Sequence, residues 1–158
     1  MFEFLLDPVQ WKILLHVGIA LGLGSLIGLE REFAEKPAGL RTHMLVTGTS
    51  TLFISLGEVL ATHFQGAFPA GILQTDPFRL IGAIVLGISF LGAGTIIRRH
   101  SEEPVKVEGL TTAATILFAA SIGIAVAVSQ YLLAVGATGL VLVILRGLQK
   151  WESEYGPQ

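Results

Sequence analysis

The chain has 158 residues, 52% of them apolar and 14% charged, with mean hydropathy +0.71 and a formal net charge of −2 at pH 7. An ordinary soluble domain carries about 25% charged residues, so this composition excludes a soluble enzyme and leaves no room for a hidden soluble module of about 100 residues. A net negative chain gives no reason to expect a nucleic-acid partner, and the absence of cysteine removes disulfides, thiolate metal sites and cysteine nucleophiles together.

In chain order, Met1 to Pro8 is acidic and lacks the basic region and small-residue cleavage site of a secretory signal, so the first apolar run is expected to be permanent. Charge-poor apolar runs then predict five transmembrane helices at about 11–29, 43–62, 79–97, 110–128 and 130–146, in a single membrane domain covering 1–158. The expected fold class is an all-α membrane protein. The 37 residues from Gly109 to Leu145 carry no charge, enough for two crossings joined through Ser129-Gln130. An 18-residue helix covers about 27 Å, so spans of this length should stand with little tilt.

Asp7-Pro8 and Asp76-Pro77 read as helix starts, because the carboxylate accepts from free backbone N–H groups and proline fits the first turn. In Gly39-Leu40-x-Thr42 and Gly109-Leu110-x-Thr112 the threonine hydroxyl is expected to cap the following helix. Eight of the ten lysines and arginines fall on one side: Arg31, Lys36, Arg41, Arg98, Arg99, Lys106, Arg146 and Lys150. The positive-inside tendency makes that side cytoplasmic, with Lys12, Arg79 and the amino terminus outside and the carboxyl terminus in the cytoplasm. Trp11 at one boundary and Trp151 and Tyr155 at the other fit an interfacial aromatic belt.

Residues 21–42 and 91–112 share nine identities in 22 positions at an offset of 70, where composition would give about two. They include Leu21/Leu91, Gly24/Gly94, Glu32/Glu102, Gly39/Gly109 and Thr42/Thr112. The match predicts two helical hairpins entering from the same face, related by an axis along the membrane normal, plus a fifth helix. Convergent membrane composition is the alternative. Small-residue pairs at a spacing of four, Gly18/Gly22, Gly24/Gly28, Ala83/Gly87 and Ala119/Gly123, argue for close helix packing. Gly92-Ala93-Gly94 suggests a local break in the third span, since each glycine weakens a helix by roughly 1 kcal/mol relative to alanine.

Several ordered motifs extend over more than a hundred residues. They are Ile27-Gly28-Leu29-Glu30-Arg31-Glu32, the segment Lys36 to His43, Asp76-Pro77-Phe78-Arg79, Phe90 to Gly94, and Gly109-Leu110-Thr111-Thr112-Ala113-Ala114. From about Gly18 to Val128 the chain resembles the MgtC/SapB membrane-protein family. The resemblance implies a bacterial inner-membrane protein linked to magnesium homeostasis, growth at low magnesium and, in pathogens, survival inside macrophages. It also implies membrane-protein partners such as the ATP synthase or magnesium-transporting ATPases. Longer relatives carry a cytoplasmic carboxyl-terminal domain, whereas about a dozen residues follow Leu145 here.

The densest charge cluster, Glu30 to His43, lies directly beneath the first span. Glu30, Arg31 and Arg41 are expected to pair, since an unpaired charge drawn into hydrocarbon costs several kcal/mol. An ion-pair network that pins the hairpin is the bland reading of this cluster; a ligand or partner site is the functional one. The resemblance places Glu30, Arg31, Glu32, Arg41 and Thr42 in the functional core, and the repeat would bring Thr42 and Thr112 together near its axis.

Asp76, with Arg79, reads either as a helix cap or, with Glu58 or Asp7, as part of an acidic outer vestibule for hydrated Mg2+, which is often held by one or two carboxylates. Asp76 is the metal candidate, and Mg2+ is expected as ligand or transported ion rather than as a resident cofactor. The four histidines show no metal-ligand spacing, and no nucleophile elbow, Walker loop, dinucleotide fingerprint or zincin motif occurs, so enzymatic activity is not expected.

The competing functions are a transporter-like or transport-supporting protein, a non-transporting regulator of a membrane protein, and a structural homo-oligomer. Cysteine labelling at Lys36 and Lys106 should find both segments on the same membrane face; labelling from opposite faces would remove the paired-hairpin topology.

Overall fold

The computed structural model describes residues 7–65, 76–99 and 106–155; the side chains of residues 65, 97–99, 106 and 148–155 lie outside the described ones, and with them Trp151 and Tyr155 of the proposed aromatic belt. The elements are α1 (Pro8–Phe33), α2 (Leu40–Gln65), α3 (Pro77–Gly94), β1 (Ile97–Arg99), β2 (Lys106–Glu108), α4 (Leu110–Ala127) and α5 (Tyr131–Tyr155). Four helices, α1 to α4, are long and apolar enough to cross a membrane, and the apolar part of α5 is the shorter stretch Tyr131–Gly147. At 1.5 Å per residue that stretch still covers about 25 Å. This is a multi-pass helical membrane protein.

The two Asp-Pro starts are built alike. The side chain of Asp7 accepts from Val9 N at 2.9 Å and that of Asp76 from Phe78 N at 2.9 Å, with proline at the first helical position of each helix. Two helix ends are also alike. Lys36 N donates to Arg31 O and Glu35 N to Glu32 O after α1, while Gln130 N donates to Ala125 O and Ser129 N to Val126 O after α4. In both, a non-glycine residue takes the left-handed conformation, Glu35 at φ 54° and Ser129 at φ 60°, which closes the last turn and lets the next helix start within a few residues.

Several expectations are corrected. Neither Thr42 nor Thr112 caps a helix, because α2 starts at Leu40 and α4 at Leu110, so each threonine lies inside the first turn. Glu32 supplies the α2 cap instead: its Oε2 accepts from Leu40 N at 2.9 Å, across eight residues. Gly109 stands before α4 at φ 91°, and a Cβ there would collide with Thr95 O. The glycines at 92 and 94 end α3 rather than break it, with Thr95 Oγ1 donating to Gly92 O at 2.7 Å.

Each of α1 and α2 has 26 residues, longer than the apolar runs suggested, because both helices carry their polar residues onward instead of stopping at them. At about 39 Å each they exceed a hydrocarbon core of about 30 Å, so upright spans are not required of them.

The second connection contains an antiparallel two-stranded ladder, Ile97 opposite Glu108 and Arg99 opposite Lys106, which the all-helical expectation did not include. The first connection is a tight turn. The α1–α2 pair shares the most extensive packing, followed by α2 with α4, while α3 leans mainly on α4. Two apolar cores result. One joins Ala20 and Ile27 of α1, Ile122 and Val126 of α4, and Ala134, Val141 and Leu145 of α5; the other joins Val46 of α2, Ile84 and Ile88 of α3, and Ile116, Ala119 and Ala120 of α4. Helix α4 belongs to both, as a helix apolar on all sides should.

Close approach is concentrated at a few glycines. A Cβ on Gly24 would strike Thr47 Oγ1 and lie 2.7 Å from His43 O; one on Gly28 would lie 2.6 Å from Leu40 Cα; one on Gly123 would strike Thr47 O. Gly92 makes ordinary contact with Ala113, whereas at Gly18, Gly22, Gly87 and Gly94 a Cβ would meet nothing within 4 Å. Gly123→Ala and Gly24→Ala should therefore destabilise the bundle by about 1–3 kcal/mol through overpacking. Gly18→Ala should be neutral or stabilise by up to about 1 kcal/mol. Chaotrope unfolding in detergent, followed by circular dichroism, measures both.

Candidate functional site

One face of helix α2 carries a row of polar residues, His43, Thr47, Ser50, Thr51, Ser55, Glu58 and Thr62, spaced three and four apart except for the Ser50-Thr51 pair, while Thr49 lies off it and is exposed. His43 to Thr62 covers about 28 Å, close to the full hydrocarbon thickness. His43, Thr47, Ser50, Thr51 and Ser55 are buried, and only the Glu58 and Thr62 end is exposed. Most of the hydroxyl protons are used locally. Thr47 Oγ1 donates to His43 O, and Thr51 Oγ1 is within hydrogen-bond distance of both Thr47 O (3.0 Å) and Gly123 O of α4 (2.7 Å). The middle of the face is thus closed by the backbones of α1 and α4.

At the end of the bundle that carries the α1–α2 turn, Glu30 and Arg31 are about 5% exposed or less, and His43 is fully buried. Arg31 Nη1 lies 3.9 Å from Glu30 Oε2, an ion pair without a hydrogen bond. Glu30 Oε2, Arg31 Nε, His43 Nε2 and, deeper in, Ser50 Oγ are buried without a hydrogen-bond partner among the described residues. His43 Nδ1 is 3.0 Å from Gly39 O, which orients the ring. A cavity of about 190 Å3 lined by Glu30, Phe33, Ala34 and Arg146 opens beside the pair, so α5 also contributes a cation here.

The expected Glu30–Arg31–Arg41 network forms only in part. Arg41, on the first turn of α2, is exposed and makes no ion pair with a described residue, whereas Glu30 and Arg31 are buried. Glu32 is exposed and serves as the α2 cap. Thr42 is half-buried and Thr112 fully buried in the first turns of α2 and α4, with no hydrogen bond between them.

At the opposite end, a second cavity of about 200 Å3 lies between α1 and α2, lined by Val9, Lys12, Ile13, His16, Ser55, Glu58, Val59, Thr62 and Ala127. His16 is 3% exposed and its Nε2 lies 2.7 Å from the Tyr131 hydroxyl of α5, with the two rings edge to face. Of the carboxylates proposed for an acidic vestibule, Glu58 lines this cavity; Asp7 and Asp76 do not, and each uses its side chain to cap a helix. Asp76 and Arg79 are both exposed. Among the described residues no group of three His, Asp or Glu side chains could enclose a metal ion.

The polar face of α2 and the roles of His16 and Tyr131 were not anticipated. The signal for the first was present in the 3.6-residue recurrence of Thr47, Ser50/Thr51, Ser55 and Glu58 inside an apolar run. Nothing local links His16 to Tyr131, which is 115 residues away.

Removing Arg31 alone, as Arg31→Met, should cost about 3 kcal/mol or more because Glu30 is left buried and unpaired; adding Glu30→Gln should restore most of the loss. A double-mutant cycle on unfolding in detergent gives the coupling.

The profile of the MgtC family matches residues 17–154. The chain is 33% identical over 157 residues to protein SapB of Bacillus subtilis, covering 99% of this chain and 64% of that one. It is 36% identical over 134 residues to protein MgtC of Salmonella typhimurium, covering 85% and 51%, and 34% identical over 126 residues to YhiD of Escherichia coli, covering 80% and 55%. The chain therefore spans between half and two thirds of the length of these relatives. No solved structure matches it. With the family's profile running through all five helices, and relatives above 30% identity across most of the chain, this protein belongs to the MgtC family.

Proposed function

We propose that this protein serves magnesium homeostasis in a bacterial inner membrane in a transporter-like role, with the polar face of α2 as a route that α1 and α4 close at its middle in this conformation. The observation that carries this reading is the face itself. Polar residues inside a membrane are costly, and ionisable ones that face a water-filled cavity mark ion pathways. Here seven polar residues run from the buried Glu30–Arg31–His43 cluster to the Lys12–Glu58 cavity. The names of the relatives lend support, since YhiD is provisionally named a magnesium transporter. In this reading the Glu30 end faces the cytoplasm and the Lys12 end the outside, as the positive-inside tendency of the charges supports. Mg2+ is the ligand or cargo, and no enzymatic step is proposed.

A second reading, a regulator that binds another membrane protein, is favoured by one observation. Gly18 and Gly22 form a small-residue stripe on α1 that no described residue packs against, the kind of surface that brings helices close.

Purified protein in liposomes, with a magnesium-sensitive dye inside, should show flux without any partner. The volume-conserving pair Thr47→Val and Thr51→Val should lower it about tenfold, the effect of losing roughly 1.4 kcal/mol of oxygen contact to the ion. Repeated absence of flux, together with a membrane protein crosslinked through a probe at Gly18 or Gly22, would replace transport with regulation.

A further inference from the structure

The cavity at the Lys12 end contains an acid and a base that do not neutralise each other. Lys12 comes from α1 and Glu58 from α2; both line the same space, yet no ion pair joins them. Ser55 lies one turn deeper on α2 and is 4% exposed, but its hydroxyl has no hydrogen-bond partner among the described residues. Thr62 adds a second hydroxyl, whose proton goes to Val59 O at 2.9 Å while its oxygen lone pairs stay available. His16 forms part of the wall, but its Nε2 is engaged by Tyr131.

What remains is one carboxylate and two hydroxyls, all hard oxygen donors, in a cavity of about 200 Å3. That is the volume of about six waters at roughly 30 Å3 each. Hard oxygens and room for water suit a divalent cation that keeps most of its hydration shell, since Mg2+ dehydrates reluctantly and is commonly held by one or two carboxylates.

We propose that this cavity binds a hydrated divalent cation through Glu58, Ser55 and Thr62, and that the Lys12 ammonium is a built-in competitor for Glu58. A lysine is a compact charge on a flexible stem. It can approach the carboxylate when no ion is bound and must withdraw when one enters, so its presence lowers the affinity of the site. The choice of magnesium as the ion rests on the transport reading above; the site and its competitor rest on the cavity.

The test is Mn2+ binding to the full chain in nanodiscs, followed by electron paramagnetic resonance with Mg2+ as displacing ion. Lys12→Met should tighten Mn2+ about fivefold by removing one like charge from the wall of the cavity. Lys12→Arg should stay near the parent chain. Adding Glu58→Gln to Lys12→Met should abolish the gain, and adding Ser55→Ala should reduce it severalfold. An unchanged affinity in Lys12→Met with intact helicity overturns the proposal, as does a gain that survives Glu58→Gln.

Liposome flux on the same proteins separates the two readings. Binding that follows this pattern without flux upholds the cation site and removes transport. Flux with binding indifferent to Lys12 and Glu58 removes the site and leaves transport in place.

Discussion

The structure depends on covering the polar face of α2 inside a solvent that cannot hydrogen-bond. In hydrocarbon an unsatisfied polar group costs several kcal/mol, so hydroxyls such as Thr47 and Thr51 must either bond to their own helix or be pressed against another backbone. Both occur. Thr47 bonds back to His43 O and nests against Gly24, while Thr51 reaches Gly123 O on α4. Side chains larger than hydrogen at Gly24, Gly28 or Gly123 would hold α1 or α4 too far away to do this.

That constraint explains the arrangement of the other helices. Helix α4 must lie against α2 and α1 to close the face, which draws it to the centre and gives it a share of both apolar cores. Helices α3 and α5 then pack on its remaining sides and leave large apolar residues such as Leu86, Phe90, Leu132 and Val143 exposed, as lipid-facing helices should. The two hairpins consequently differ in how tightly they are held, despite matching motifs in sequence. The polar groups are left at the ends: a buried pair beside Arg146 with polar atoms that find no partner among the described residues at one, and Lys12 and Glu58, not paired with each other, at the other.

Parts of the site were legible residue by residue. Asp7 and Asp76 declared themselves as caps because the Asp-Pro pair satisfies a helix start with local atoms only. Glu30 and Arg31 were identifiable as a buried-edge pair because adjacent charges abut an apolar run. Arg41 was misassigned to that pair, since its helical phase relative to α1 depends on the turn between them. The capping role of Glu32 was not legible, because its bond to Leu40 N requires knowing how the chain folds back over eight residues. The seven-residue polar face was hidden by counting charges alone, which treats serine and threonine as neutral filler.

What the sequence by itself determined were the features that need only local order: helical type, the five helices, the two Asp-Pro caps and the family motifs. These follow from hydropathy and from contacts a few residues apart. The tertiary structure alone decided which glycines are contacts and which face lipid, which acids cap and which line a cavity, and that Tyr131 meets His16 and Lys12 shares a space with Glu58. The physical reason is that the rotation of one helix about its axis relative to another is set by packing summed over the whole interface, and no single stretch of sequence contains that sum.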